Sequence, residues 1–160
     1  VKQNTETHVQ RSSPRPEQPE QAPQLVVDMT VALTLLPLPG LYTISRLPPE
    51  DPLPRWADGP GFVSISRTAD ELSVVCPEER VPAGVLGEAK WRCLKFVGPF
   101  AFDQAGIAVA VLAPLAAAGI GIFLISTFDT DYLLLKEADY QRAADVIEAA
   151  GHRLAPEAHP

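Results

Sequence analysis

The sequence predicts an α+β fold in which antiparallel β-sheet carries its helices on one face. Three observations predict it. From Trp91 onward the residue pattern runs strand, helix, strand, strand, helix, short strand, which calls for a four-stranded antiparallel sheet beneath two helices. The last long segment, Ala138 to Ala150, is amphipathic, with Tyr140, Ala143, Ala144, Ile147 and Ala150 at helical spacing. The chain also repeats itself. A shift of 60 residues superposes Gly61 on Gly121, Ile65 on Ile125, Ser66 on Ser126, Glu71 on Asp131, Leu72 on Tyr132, Val74 on Leu134, Val75 on Leu135 and Glu79 on Asp139. Each copy is a strand, an acidic turn and a return strand, so two related units are expected, the second complete and the first abridged.

Residues 1–24 contain four prolines and only three weakly apolar side chains. Such a segment cannot recover its ordering entropy by burial and is expected to be a disordered N-terminal tail that folding does not need. Leu25 to Leu36, rich in valine and leucine, opens the body, and Pro37-Leu-Pro-Gly40 turns it. Leu41 to Leu47 reads as a strand. Pro48 to Pro60 carries five prolines and leaves room for one helical turn around Pro54 to Ala57. Phe62 to Ile65 and Glu71 to Val75 form a hairpin across Arg67-Thr-Ala-Asp70. Glu78 to Lys90 reads as a connector, because Pro82, Gly84 and Gly87 oppose a helix.

In the second half, Trp91 to Val97 alternates as a strand, with Trp91, Cys93, Lys95 and Val97 on one side. Gly98-Pro99 ends it. A helix is expected from Asp103 or Gln104 to Ala118, striped by Ile107, Val111 and Leu115, with Pro114 as an awkward interior residue and Gly119 as a left-handed cap. Ile120 to Phe128 is a strand, Asp129-Thr-Asp131 a tight turn and Tyr132 to Lys136 the return strand. Gly151 caps the final helix, and His152 to Ala155 forms a short last strand. The organisation is therefore a tail over 1–24, an abridged unit over 25–90 and a complete one over 91–157.

Composition excludes several functions. With 13 basic and 20 acidic residues the chain carries a net charge of −7, so neither nucleic acid nor anionic lipid is an expected partner. The 25 residues from Gln104 to Phe128 lack formal charge and are long enough to span a bilayer. Gly119 and Gly121 nevertheless divide them into a helix and a strand, and no basic cluster flanks them. No signal-like leader opens the chain, so a cytoplasmic protein is expected. Cys76 and Cys93 cannot build a disulfide framework and read as reduced core residues in adjacent strands. The three histidines, His8, His152 and His159, organise no catalytic pair, and no metal-ligand spacing or phosphate loop is present. Asp129 and Asp131 lack the further oxygen ligands that a divalent cation needs.

Several segments resemble ACT-like regulatory modules: Gly98-Pro-Phe-Ala-Phe-Asp-Gln-Ala-Gly106-Ile, Leu115-Ala-Ala-Ala-Gly-Ile120 and, most specifically, Ile125-Ser-Thr-Phe-Asp-Thr-Asp-Tyr132. Leu38-Pro-Gly-Leu-Tyr42 and Val75-Cys-Pro-Glu-Glu79 add to the resemblance, which covers about residues 30–155. It is similar to small bacterial tandem-ACT proteins, to the regulatory modules of aspartate kinases and to cytosolic arginine sensors. The resemblance implies tandem ferredoxin-like βαββαβ modules, binding of an amino acid or similar metabolite between modules or subunits, no catalysis and no cofactor. It also implies a homodimer and a separate regulated protein as partner.

The residues themselves fit a zwitterion. The loop leading into the first helix offers unpaired amides to a carboxylate, and Gly106 permits close approach. Asp103, Asp129 and Asp131 are candidates for an ammonium group, and Ser126, Thr127 and Thr130 for short hydrogen bonds. The candidate ligand-binding set is Phe100, Asp103, Gly106, Ile107, Ser126, Thr127, Phe128, Thr130 and Asp131. Structural duties compete: Asp103 as a helix cap, Asp129 and Asp131 as turn formers, and Ser126 as a bonded strand serine. A structural or interaction module without ligand is the alternative function.

Overall fold

The structure is a computed structural model that describes residues 32–100 and 105–157. The expected tail, the first residues of the Leu25 to Leu36 segment and Asp103 lie outside the described residues. Eight strands and two helices follow in order: β1 (Thr34–Pro37), β2 (Tyr42–Leu47), β3 (Ser64–Arg67), β4 (Leu72–Pro77), β5 (Gly87–Phe96), α1 (Ile107–Ala117), β6 (Ile122–Ser126), β7 (Asp131–Lys136), α2 (Tyr140–Ala149) and β8 (Arg153–Leu154). Single 3-10 turns at Arg55–Ala57, Glu78–Arg80 and Glu137–Asp139 join them. The first of these is the one turn that the prolines of residues 48–60 leave room for.

All eight strands belong to one sheet built around β5. One edge of β5 pairs with β7, and β7 pairs with β6. The other edge is shared: its N-terminal part pairs with β2 and its C-terminal part with β1. Beyond β2 lie β4 and then β3. Beyond β1 lies β8, in parallel. The expectation of a self-contained four-stranded sheet after Trp91 is corrected here, since β1 stands between β5 and the last strand.

β5 also starts earlier than expected, at Gly87 rather than Trp91. Residues 87–90 show no apolar alternation because they pair on an exposed edge. Lys90 adopts a left-handed φ of 64° where the register with β2 shifts, and a bulge of this kind re-aims a strand. The Glu78 carboxylate holds the bend by accepting from both the Lys90 amide (3.0 Å) and its ammonium (2.6 Å).

The internal repeat is real in strand register, but its offset is 59 and not 60. Adding 59 carries the pair Ser64↔Val75 onto Phe123↔Leu134 and Arg67↔Leu72 onto Ser126↔Asp131. The matches at 60 pair positions whose side chains face opposite ways, because a one-residue slip inverts a strand. Likewise β2 maps on β5 with an offset of 49, Tyr42↔Pro77 onto Trp91↔Lys136 and Arg46↔Ser73 onto Lys95↔Tyr132. The ten-residue difference between the offsets falls where α1 occupies one copy and a proline-rich loop the other.

Both helices cover one face. Ile107, Ala110, Val111 and Leu115 of α1 and Ala143 and Ile147 of α2 pack on Leu35, Leu94, Phe96, Leu133 and Leu135. The expected stripe of Ile107, Val111 and Leu115 is thus the buried one, although α1 begins only at Ile107. In the first half the matching face, Leu72, Val74 and Cys76, is covered by Trp56 and Ala57 from the proline-rich loop. The opposite face gathers Tyr42, Val75, Cys93 and Leu134 with Phe62, Phe123 and Tyr132. The sheet curls around this second cluster until β3 and β4 face β6 across a cavity of about 280 Å³. Cys76 and Cys93 are both buried and unpaired. They are not on adjacent strands, however: β2 separates them, and they face different clusters.

Pro114 explains a contact that no local pattern reveals. An interior proline has no N–H for the carbonyl four residues earlier, here Ala110. The imidazole of His152, 6% exposed, sits 3.0 Å from that carbonyl through Nε2, while its Nδ1 lies 3.3 Å from the Leu33 amide. The amide must donate to Nδ1, so Nε2 carries the proton and donates to the orphaned oxygen.

Candidate functional site

The loop after β5 and the β6–β7 turn meet at one end of the sheet. The Phe100 amide donates to the Asp129 carbonyl at 3.2 Å. The Thr130 hydroxyl, buried, donates to the Phe96 carbonyl at 2.7 Å. Within the turn, the amide and the hydroxyl of Thr127 both donate to the Thr130 carbonyl, at 2.9 and 2.7 Å. At Gly98 an added Cβ would lie 3.0 Å from the Asp129 carbonyl, so only glycine lets the two segments approach this closely. Gly106 is the residue before α1, left-handed at φ 89°, and among the described residues no side chain caps the helix. That φ suits glycine.

The structure therefore brings together Phe100, Thr127 and Thr130 with Asp129, and it places Gly106 at the start of α1. The Ile107 side chain belongs to the core, 5% exposed, so only its backbone is open to a ligand. The expected strand Ile120 to Phe128 and turn Asp129-Thr-Asp131 are corrected: β6 spans Ile122–Ser126 and β7 begins at Asp131, so the turn is residues 127–130. Asp131 is the first residue of β7, paired with Ser126. It lies on the helix-bearing face, in alternation with Leu133 and Leu135. Ser126 shares that face but is exposed, not buried. Asp129 instead lines a cavity of about 310 Å³ with Lys95, Gly98, Pro99 and Thr130. Phe128 is 79% exposed at the tip of the turn.

A second, larger cavity of about 510 Å³ shares Lys95 with the first. Its walls include Leu36, Leu38, Tyr42, Phe62, Thr127 and Tyr132. Phe62 stacks on Tyr132 with ring centroids 4.0 Å apart. Burial pushes the Tyr42 phenol up to about 12, so it stays a neutral hydroxyl throughout the physiological range. Lys95, Tyr42, Phe62 and Tyr132 were not singled out by sequence. The signal was a lysine in an otherwise apolar alternation, Trp91, Cys93, Lys95. Among the described residues no three His, Cys, Asp or Glu side chains cluster as a metal site, and no helix is long and apolar enough to cross a membrane.

Comparison with known proteins places this geometry. A crystal structure of an Agrobacterium tumefaciens protein superposes with a TM-score of 0.77 at 50% identity, over 81% of this chain and 96% of that one. An ACT-domain family model matches residues 87–149. The chain carries an ACT domain over these residues. It is similar in sequence to cytosolic arginine sensors and shares its fold with aspartate kinases. Residues 40–84 match a separate family model that describes an N-terminal domain. The human protein "Cytosolic arginine sensor for mTORC1 subunit 1" is 33% identical over 96 residues, 59% of this chain and 29% of that protein. The chain thus spans under a third of the length of those arginine-sensor relatives. Escherichia coli aspartokinase III, solved with aspartate and ADP, shares the fold at a TM-score of 0.53 and 10% identity, over 74% of this chain and 33% of that one.

Proposed function

We propose that this ACT-domain chain is a non-catalytic regulatory or sensor module whose ligand is an amino acid. The observation that carries this reading is the joining of the β5–α1 loop, which ends at Gly106, to the β6–β7 turn through the Phe100 amide and the Asp129 carbonyl. A ligand carboxylate would accept from the amides of Gly106 and Ile107, where the helix dipole favours negative charge. Its ammonium group or basic side chain would meet Asp131, with Ser126 beside it. Relatives named as arginine sensors and the aspartokinase solved with aspartate support this ligand class.

The repeated registers support two ACT-like modules fused through β5. The first has the strand order β5-β2-β4-β3. The second has β8-β1-β5-β7-β6 and so differs only by the inserted β1. The division between 25–90 and 91–157 then falls within the shared strand. A homodimer and a separate regulated protein complete the proposal.

Thermal-shift screening against the twenty amino acids tests it, because a ligand selective for the folded state raises apparent stability. One amino acid should raise the midpoint where its relatives do not. Asp131→Asn should then weaken that ligand by about ten- to a hundredfold, the worth of a charge-assisted contact. A flat response to all twenty would favour an interaction module without ligand.

A further inference from the structure

We propose that Lys95 and the larger cavity beside it form a binding site for a small monocarboxylate with an apolar body, separate from the amino-acid site at Gly106 and Asp131. The argument starts from the repeated register. The counterpart of Lys95 in the first half is Arg46, whose guanidinium meets Glu71 at 3.0 Å. The same offset of 59 that aligns the hairpins carries Glu71 onto Thr130, which has no charge and whose hydroxyl is committed to Phe96. The second half has kept the cation and lost its carboxylate.

Lys95 differs from the other cations accordingly. Among the described residues Arg46, Lys90, Arg92, Lys136 and Arg142 each hold a carboxylate. Arg67 and Arg80 donate to backbone carbonyls. Arg55 and Arg153 are exposed to solvent. Lys95 alone combines half-burial with no hydrogen bond or ion pair among the described residues, and it lines both cavities. In a chain of net charge −7, a partly buried lysine at the mouth of two cavities with no carboxylate beside it offers a place for an anion.

The walls define the rest of the ligand. Register sets Leu36, Lys95 and Tyr132 side by side on three neighbouring strands, and Leu38, Phe62 and Val63 close around them. A volume of about 510 Å³ is within the ordinary range of small-molecule pockets. One cation and no second basic residue in the lining match a single negative charge. Asp129, on the far side of Lys95, repels a dianion. The large cavity offers no carboxylate to an ammonium group, so an acid without an amino group fits better than the corresponding amino acid.

The experiment is titration calorimetry with 4-methylpentanoate, the carbon skeleton of leucine without its amino group, using leucine and inorganic phosphate as comparators. 4-Methylpentanoate should bind, and Lys95→Met should weaken it by about tenfold or more, in keeping with loss of a hydrogen bond to a charged group. Lys95→Arg should retain most of the affinity, and Asp131→Asn should leave it unchanged. Thermal midpoints of the unliganded variants confirm that each is folded, with Lys95→Gln replacing any that is not. Absence of binding, undiminished binding by Lys95→Met, or equal binding of leucine or phosphate would overturn the proposal. The amino-acid site is read separately through Asp131→Asn, so either can fail alone.

Discussion

His152→Ala tests whether an imidazole replaces the hydrogen bond that Pro114 removes from α1. The side chain accepts from the Leu33 amide and donates to the Ala110 carbonyl, both buried. Truncation leaves two unpaired backbone groups, each costing about 1–3 kcal/mol, and a small void besides. The expected loss is about 2–6 kcal/mol, a large part of a typical domain's stability. Size alone does not identify the cause, so the informative measurement is a double-mutant cycle. Pro114→Ala restores an N–H four residues after Ala110, which gives the carbonyl a partner within the helix. In that background His152→Ala should cost less by about 1 kcal/mol, the worth of the replaced bond. Urea unfolding of the four proteins, with midpoint and slope both followed, supplies the numbers. Strictly additive losses would refute the reasoning, since the Ala110 carbonyl would then not depend on His152.

Three further outcomes follow from packing and charge. Burial pushes the Cys93 thiol up to about 12 and raises that of Cys76, so a thiol reagent at mildly alkaline pH should label neither until the protein is denatured; stoichiometric native labelling would contradict this. At Gly87 an added Cβ would stand 2.8 Å from the Ile44 carbonyl, whereas Gly121 has open space and no unusual φ. Gly87→Ala should therefore cost about 1–3 kcal/mol and Gly121→Ala far less, compared by chemical denaturation. Hydrogen bonding to Lys90 holds the Glu78 carboxyl below its usual range. Its stabilisation is present above the unfolded value and disappears as pH falls through the lower folded one. Glu78→Gln should cost under about 1 kcal/mol at neutral pH, because the pair is exposed, and the difference should close in strong acid.

Periodicity made the elements legible wherever one face of a segment is buried. The β3–β4 hairpin, the β6–β7 hairpin and α2 lie close to their expected positions for that reason. Residues 87–90 were illegible because their pairing is with an edge, through a bulge, and leaves no apolar alternation. The offset of 60 was persuasive because Gly61, Ile65 and Ser66 find chemical matches, but register is decided by which face each side chain buries. Of the site, the α1 loop and the β6–β7 turn could be read from glycine, aspartate and threonine chemistry. Asp131 was read as turn rather than strand because turns favour the same residue types as strand ends. Lys95 escaped notice because its meaning lies in a comparison with Arg46 and Glu71, which two different offsets connect.

The placement of β1 between β5 and β8 has a kinetic consequence. The bonds beside it join Leu33 to His152 and Arg153, 119 residues further on in the case of His152. Among the described strands β1 leaves the ribosome first and its parallel neighbour β8 last. Contacts so distant in sequence close slowly, because loop entropy is spent before they form. Until β8 arrives, β1 has an open edge, and the α1 carbonyl at Ala110 has no imidazole. The final step of folding should therefore seat β8 and His152 together, locking the first strand of the body to the last.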